Sequence, residues 1–257
     1  MTTTRNKKTA YEIPAGLRRC TNHIATHVIA KMRSLVDTWT TDDDHFECEI
    51  RFGVVEVGDN GKHQFVSGVS GTFFDRIVGL LDNYDGWSQT KPWCEHHDYF
   101  FADDQARALR CSIEFDRSPP TVTTVHKQRL RTATLLHVDE CEVYDVRVSL
   151  SSEKATTHHQ VPETVVPSLV RIKQRKSYFI EQWRYDVTRV WSGKSRGEAE
   201  KLHKMDAPNS YEIEVEMLDP RVLLRRQNHT DERVAFSLFL KILSLCSSPE
   251  LLQYQIV

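Results

Sequence analysis

The sequence lacks an excess of charge of either sign, and it lacks long apolar runs. Its 257 residues include 34 Lys and Arg against 36 Asp and Glu, for a formal net charge of −2. Without surplus positive charge a general nucleic-acid-binding surface is not expected, so any anionic substrate must be held locally. No stretch is long and apolar enough to cross a bilayer, and we therefore expect no membrane partner.

Cysteine motifs and a secretion signal are missing as well. The six cysteines show no CxxC spacing, and the N-terminal residues contain no apolar core typical of a signal peptide. We therefore expect free thiols in a reducing compartment and no zinc site. The polar residues 1–10 are expected to be disordered. Residues 11–257 are long enough for one domain with a substantial core.

Helical periodicity is confined to a few segments. Apolar residues recur at helical spacing from Pro14 to Thr40, which predicts an amphipathic helix. A second helix is predicted with Thr72 as its N-cap, and a third within residues 233–246. The polar stretch Gly193–Ser210 is interpreted as a surface loop between strands.

Two segments alternate apolar and charged residues with a period of two, which is typical of strands. They are Phe46–Phe52 and Tyr211–Met217. This period puts every second side chain on the same face of a strand. The charged faces consist of Glu47, Glu49 and Arg51 in the first segment, and Glu212, Glu214 and Glu216 in the second.

Five further segments carry polar rows of the same kind, which makes seven predicted amphipathic strands. Two rows are basic and the others are mixed. The rows contain Arg110 with Glu114, Lys127 with Arg129 and Arg131, Asp145 through Glu153, Arg171 with Lys173 and Arg175, and Arg184 with Asp186.

The polar faces segregate by charge, which is unusual for strands that simply face water. Solvent-facing strands mix charges and place opposite charges across from each other. Acidic strands side by side need a cation, and hard divalent metals prefer clustered carboxylates. Basic rows facing them would attract phosphate, for which Arg has suitable geometry. The pattern therefore favours a closed sheet with its polar faces inward and its apolar faces covered by helices.

Four ordered segments resemble motifs of the fungal and protozoan metal-dependent mRNA 5′-triphosphatases. FECEIRFG at 46–53 is similar to the ExE first strand of that family, and YEIEVEM at 211–217 to its late ExExE strand. RIKQRKS at 171–177 is similar to the RxKxRxS strand, and WRYDVT at 183–188 to the WRxDxT strand. The resemblance spans about residues 42–219, and the short chain looks more like kinetoplastid than fungal members.

The resemblance implies a fold and a reaction. The fold would be mainly β: eight antiparallel strands closed into a triphosphate tunnel with a polar interior and helices outside. The reaction would be hydrolysis of the γ-phosphate of triphosphate-ended RNA, the first step of mRNA capping, with Mg²⁺ or Mn²⁺ as cofactor. Hydrolysis of free nucleoside triphosphates with Mn²⁺ is expected too.

The resemblance also implies roles for individual residues. Glu47, Glu49 and Glu216 would ligate the metal, while Glu212 and Glu214 would hold metal-bound waters or orient basic side chains. Arg184 and Asp186 would form an ion pair that supports the substrate site. Glu153 would position the attacking water, with Glu142 as the competing candidate. The phosphate-binding residues would be Arg110, Lys127, Arg171, Lys173 and Arg175.

Two other functions stay open on the sequence. A sister branch of the superfamily hydrolyses tripolyphosphate or thiamine triphosphate, but its first strand carries ExExK where this chain has Arg51. A non-catalytic polyphosphate-binding module is the second alternative. The capping role would imply the 5′-triphosphate end of nascent RNA as substrate, a guanylyltransferase as a partner and a nuclear location.

Overall fold

Nine antiparallel strands form the centre of the molecule in a computed structural model. The model describes residues 15–38, 44–59, 61–102, 108–135, 144–156, 165–220, 224 and 230–246, so the predicted boundary at residue 10 lies outside the described residues. The strands are β1 (Asp44–Val57), β2 (His63–Ser67), β3 (Gln89–Ala102), β4 (Ala108–Glu114), β5 (Thr121–Leu135), β6 (Asp145–Ala155), β7 (Leu169–Ile180), β8 (Trp183–Gly193) and β9 (Ser210–Met217).

Eight of these strands close into a barrel. Their order around the ring is β1-β6-β5-β4-β3-β7-β8-β9, and β9 pairs with β1 to complete it. β2 extends the edge of β1 beyond Gly53, where a Cβ atom would lie 2.2 Å from the carbonyl oxygen of Val66. Glycine at this position therefore permits the close approach of the two strands. The predicted fold, a closed eight-stranded antiparallel barrel, is confirmed.

Helices cover the outside of the barrel. They are α1 (Ala15–Ile24), which continues through a π-helical turn (Ala25–Ile29) into α2 (Ala30–Thr38), then α3 (Gly71–Asp82), α4 (Arg196–Lys204) and α5 (Asp231–Cys246). The helices predicted over 14–40 and within 233–246 are confirmed in the described residues. No helix in the described parts of the chain is long and apolar enough to cross a membrane.

Two details of the helix predictions are wrong. The N-cap of α3 is Ser70 instead of Thr72, because the Ser70 hydroxyl accepts the backbone N–H of Phe73 at 3.2 Å. The segment predicted as a loop contains α4. The Ser195 hydroxyl caps this helix by accepting the backbone N–H of Glu198, and the Glu198 carboxylate accepts the backbone N–H of Lys194. Polar composition concealed α4, since Ala199 is its only buried residue.

The core lies outside the barrel, between the outward strand faces and the helices. Outward residues of β1, β6, β8 and β9, among them Ile50, Val148 and Val215, pack with α1–α3 and α5 in one large cluster. A smaller cluster joins β3, β4, β7 and β8 to α4. Because the apolar faces are used outside, the polar faces point into the barrel.

The strand pattern missed β2 and β3, and it misplaced one residue of β5. The predicted shared face of Lys127, Arg129 and Arg131 is broken by a register shift that leaves Arg131 opposite the outward residue Leu150. Arg131 therefore lies on the exposed outer surface. A bulge of this kind changes which face a side chain occupies.

The prediction of unpaired thiols is confirmed for Cys20, Cys48, Cys94 and Cys111, which form no disulfide, and is wrong for Cys246, which is disulfide-bonded. The sixth cysteine, Cys141, lies outside the described residues.

Candidate active site

A polar cavity of about 730 Å³ occupies the interior of the barrel. Residues from all eight strands of the ring line it. Carboxylates and cations alternate around its wall, and predicted site residues account for many of them. Those that line it are Glu47, Arg110, Glu153, Lys173, Arg175, Arg184, Glu214 and Glu216.

The glutamates of β1 and β9 form an acidic wall, defined here as Glu47, Glu49, Glu212, Glu214 and Glu216. The two strands are neighbours, and Glu49 and Glu216 are directly opposite each other in the ladder. Both are more than nine-tenths buried. Directly opposed like charges destabilise a sheet unless they are neutralised. The acidic wall therefore requires positive charge nearby to be stable.

Three cations of the protein already contact the predicted metal ligands. Lys127 pairs with Glu47, and Arg184 pairs with Glu216. Arg51 Nη2 lies 3.0 Å from Glu49 Oε2. In the described residues these three carboxylates do not converge as a ready ligand set. Metal binding would require them to turn away from their cations.

Adjacent glutamates of β9 have opposite electrostatic surroundings. Burial raises the pKa of Glu216 to about 8. Arg184 lowers this pKa, whereas the nearby negative charge of Glu47 raises it further. Burial would also raise the pKa of Glu214, but Arg51 and Arg175 outweigh it and hold that pKa below its usual range. Glu214 is thus a stable partner of arginines, whereas Glu216 lacks enough positive charge.

The acidic wall fits a hard divalent metal ion. Its donors are carboxylate oxygens from adjacent strands, which is the ligand type that Mg²⁺ and Mn²⁺ prefer. The opposed pair Glu49 and Glu216 supplies negative charge that Arg51 and Arg184 only partly offset. A metal ion there would neutralise this excess.

The inward residues of β7 form a basic wall, defined as Arg171, Lys173 and Arg175. Each cation contacts a carboxylate from another strand. Arg171 Nη2 lies 2.6 Å from Glu212 Oε1, and Lys173 pairs with Asp98. Neither Arg171 nor Glu212 lines the cavity. These contacts fix the cations in place before any ligand arrives.

Arg175 is the most connected member of the basic wall. Its guanidinium lies 3.2 Å from Asp186 Oδ2 and 3.3 Å from Glu214 Oε2. Its Nε donates to Thr188 Oγ1 at 3.2 Å. Burial opposes its charge, yet Asp186 and Glu214 raise the pKa of Arg175, so it stays protonated.

A second cationic group lies at the β4–β5–β6 side of the cavity. Arg110 Nη2 is 3.0 Å from Glu153 Oε1, and Lys127 Nζ is 3.3 Å from the same oxygen. Burial would raise the pKa of Glu153, but these two cations lower it. Glu153 is therefore ionised and able to accept a proton or hold a water. Glu142, the competing candidate, lies outside the described residues.

The predicted ion pair of Arg184 and Asp186 is present, with Nε 3.0 Å from Oδ2. Among the described residues, Asp186 Oδ1 and Arg110 Nε are buried and have no hydrogen-bond partner. Of these two residues Arg110 lines the cavity, so its guanidinium keeps a donor for a ligand there.

Sequence reasoning missed the contribution of β3. Asp98 pairs with Lys173, and His96 lines the cavity beside it. Burial and the neighbouring Arg175 and Lys173 lower the pKa of His96 to about 4. A register shift between Lys91 and Cys94 interrupts the alternation, which concealed the inward row. Asp98 and His96, two residues apart, were the only sequence signal of it.

Comparisons with known proteins identify the family and the fold. Residues 59–243 match the mRNA triphosphatase family model, described as mRNA capping enzyme, beta chain. The mRNA-capping enzyme subunit beta of Debaryomyces hansenii is 29% identical over 120 residues, which are 45% of this chain and 25% of that relative. The match thus spans about a quarter of the length of that curated relative.

Two solved structures share the barrel. The S. pombe Pct1 RNA triphosphatase, in complex with the Spt5 CTD, superposes with a TM-score of 0.67 at 17% identity, covering 93% of this chain and 97% of that one. The RNA triphosphatase domain of a trifunctional mimivirus mRNA capping enzyme gives 0.55 at 15% identity, covering 86% and 96%. At these identities the likeness concerns the fold. Because the family model matches well over half of the sequence, the chain belongs to the mRNA capping enzyme beta chain family.

Proposed function

We propose that this protein is an RNA 5′-triphosphatase that removes the γ-phosphate of triphosphate-ended RNA before capping. One observation carries the proposal: Glu47, Glu214 and Glu216 of the acidic wall and Lys173 and Arg175 of the basic wall line the same cavity inside the barrel. A triphosphate with its metal ion needs both at once, because the anion binds cations and the metal binds carboxylates. Family membership supports the same assignment.

The family is one of generally metal-dependent enzymes, and we propose Mg²⁺ or Mn²⁺ as the metal here. Glu47, Glu49 and Glu216 would hold it, as the opposed carboxylates suggest. When bound, it would neutralise the charge of the phosphoryl group during transfer. Lys127 and Arg184, which contact Glu47 and Glu216 in its place, would be released to the substrate.

The protein's own groups divide the remaining work. Arg175 and Lys173 would bind phosphate oxygens, and Arg110 would contribute its unpartnered Nε. Glu153, held ionised between Arg110 and Lys127, would orient the attacking water and accept its proton. Arg184 and Asp186 would support the basic wall from β8. Glu212 and Glu214 would keep Arg171 and Arg175 oriented.

A free triphosphate hydrolase is the second candidate. The cavity is lined by charged side chains, which suits an inorganic polyphosphate as well as an RNA end. The test compares kcat/KM for triphosphate-ended RNA with Mg²⁺ against kcat/KM for tripolyphosphate under the same conditions. Higher values for RNA support the capping role, and higher values for tripolyphosphate contradict it. Mn²⁺-supported hydrolysis of ATP is expected in either case.

A binding module without catalysis predicts tight binding of triphosphate without phosphate release. The buried acidic wall argues against it, because an anion receptor gains nothing from opposed carboxylates. Equilibrium binding measured beside phosphate release separates the two. Binding with no release under any divalent metal would favour the module.

The proposed role also implies partners and a location. Because the family is that of a capping-enzyme subunit, we propose a guanylyltransferase as partner and the nucleus as location. Co-purification of guanylyltransferase activity with the tagged protein tests the first. Imaging of the tagged protein tests the second.

A further inference from the structure

Three metal-ligand side chains meet on the tunnel wall opposite β1. Cys94 Sγ, a ring nitrogen of His96 and a carboxylate oxygen of Glu114 all lie within 4.8 Å of one another. They come from β3 and β4, and β3 is four strands from β1 in either direction around the eight-stranded ring. The cluster is therefore separate from the acidic wall.

A bulge in β3 creates this cluster. Lys91 pairs with Ser177 and Cys94 pairs with Arg175, so three steps on β3 oppose two on β7. Pro92 lies within the bulge, where a missing N–H is tolerated. The extra residue turns Cys94 to the inward face, where the period of two then places His96.

Strand pairing brings the third ligand. His96 and Glu114 are directly opposite each other in the β3–β4 ladder, and His96 Nε2 lies 3.9 Å from Glu114 Oε1. The backbone N–H of Phe115 donates to the carbonyl of Glu95 at 3.0 Å, which fixes this end of the ladder. The relative position of the two strands is thus set by the backbone.

The distances approach those of a metal site. A tetrahedral zinc ion with bonds of about 2.0–2.3 Å separates its ligand atoms by about 3.3–3.8 Å. The three ligand atoms now lie within 4.8 Å of one another, and small side-chain rotations would bring them to the separation of a zinc site. Lys91 Nζ is 4.0 Å from Glu114 Oε1, but its side chain is about half exposed and can move into solvent.

We propose that Cys94, His96 and Glu114 form a second metal site, specific for a borderline-soft divalent cation such as Zn²⁺. Thiolate and imidazole favour Zn²⁺ over Mg²⁺, whereas the acidic wall offers only hard oxygens. All three residues line the cavity, so the fourth coordination position faces the tunnel. The spacing of the cysteines gave no sign of this site because its ligands come from two strands.

Cobalt substitution tests the site directly, without reference to hydrolysis. Co²⁺ bound at a thiolate gives a near-ultraviolet charge-transfer band, which a carboxylate site cannot produce. We expect one equivalent of Co²⁺ to produce the band in the full chain, and one equivalent of Zn²⁺ to remove it. Absence of the band in the wild-type chain would overturn the proposal.

Variants locate the binding site. Cys94→Ser should abolish the band, and Glu114→Gln should weaken Co²⁺ binding at least about tenfold through loss of a ligand. Cys20→Ser, at a cysteine of α1 that forms no disulfide, is the matched control and should keep the band. A band that survives Cys94→Ser, or disappears in Cys20→Ser with the fold intact by circular dichroism, would contradict the assignment.

Two further experiments test whether this site is independent of the acidic wall and whether its fourth coordination position is open to a ligand. A Glu47→Gln, Glu216→Gln double variant should keep the band, and loss of it in a folded protein would show that the sites are not independent. Inorganic phosphate should shift the visible bands of bound Co²⁺ by replacing its solvent ligand. Unchanged visible bands at saturating phosphate would contradict an open position facing the tunnel.

Discussion

The acidic and basic walls differ in how their charges are balanced. On the basic wall each cation has a carboxylate partner from another strand, as in the pairs Arg171–Glu212 and Lys173–Asp98. On the acidic wall Glu49 directly opposes Glu216, and burial raises the pKa of Glu216 to about 8. The basic wall is therefore preorganised, whereas the acidic wall is complete only when a further cation binds.

This difference explains why Glu214 and Glu216, two residues apart on the same strand, have different roles. Glu214 contacts Arg51 at 2.8 Å and Arg175 at 3.3 Å, so it serves the arginines. Glu216 has Arg184 as its partner and Glu47 as a neighbouring like charge. We expect changes to the predicted metal ligands of the acidic wall to abolish activity and changes to the basic wall to give graded losses.

The largest effect is expected for Glu216→Gln. Loss of a metal ligand removes several kcal/mol of transition-state stabilisation, which lowers kcat by about 1,000-fold or more. Phosphate release with Mg²⁺ measures it, with circular dichroism to check the fold. Glu49→Ala should behave in the same way. Glu200→Gln, on the surface helix α4, is the control and should keep full activity; near-normal turnover in Glu216→Gln would refute the metal site.

Arg175→Ala should lower kcat/KM by about 100- to 1,000-fold, as removal of a preorganised donor does. It should also destabilise the fold by about 3–5 kcal/mol, because Asp186 and Glu214 lose a buried partner. Initial rates and denaturant unfolding measure the two effects. Arg175→Lys keeps the charge and should recover part of the stability. An active, stable Arg175→Ala would show that the basic wall does not bind substrate.

Glu153→Gln should lower kcat by about 100-fold with little change in KM, because proton acceptance is lost while Arg110 and Lys127 remain. Steady-state kinetics separate the two parameters. Glu142→Gln is the matched comparison, since sequence reasoning left both residues open. If Glu142→Gln is inactive and Glu153→Gln is active, the roles are reversed.

A smaller effect should appear as a pH dependence of Lys173. Burial lowers its pKa to about 8, although Asp98 opposes this. Lys173 is charged below that pH and neutral above it. At saturating metal, which keeps Glu216 ionised, kcat/KM should therefore fall about tenfold between pH 7 and pH 9. Lys173→Arg should flatten the profile, because arginine stays protonated. An identical decline in Lys173→Arg would assign the pH dependence to another group.

The smallest effect is expected for Arg131→Ala, which should change activity less than about twofold, as surface substitutions do. The register shift in β5 leaves Arg131 on the outer surface, although its sequence position suggested the tunnel. Initial rates with saturating and limiting RNA measure it. A loss comparable to that of Arg175→Ala would place Arg131 in the lumen.

Sequence periodicity predicted which side chains face the barrel interior better than it predicted the ion pairs between them. Alternation in β1, β7 and β9 predicted the inward faces, because an unbroken period of two determines the face of each residue. It failed at Lys91–Cys94 and at Arg129–Arg131, where an extra residue changes the face. Pairs such as Lys173 with Asp98 join distant strands, so they depend on ring order and register, which one sequence does not reveal.

Phosphate release from γ-labelled triphosphate-ended RNA, with Mg²⁺, with Mn²⁺ and with chelator, is the decisive test of the proposed function. We expect metal-dependent release of the γ-phosphate alone, with diphosphate-ended RNA as the other product, and loss of release with chelator. Undiminished release in chelator, or no release with either metal, would contradict the claim that the two walls together hydrolyse an RNA triphosphate end.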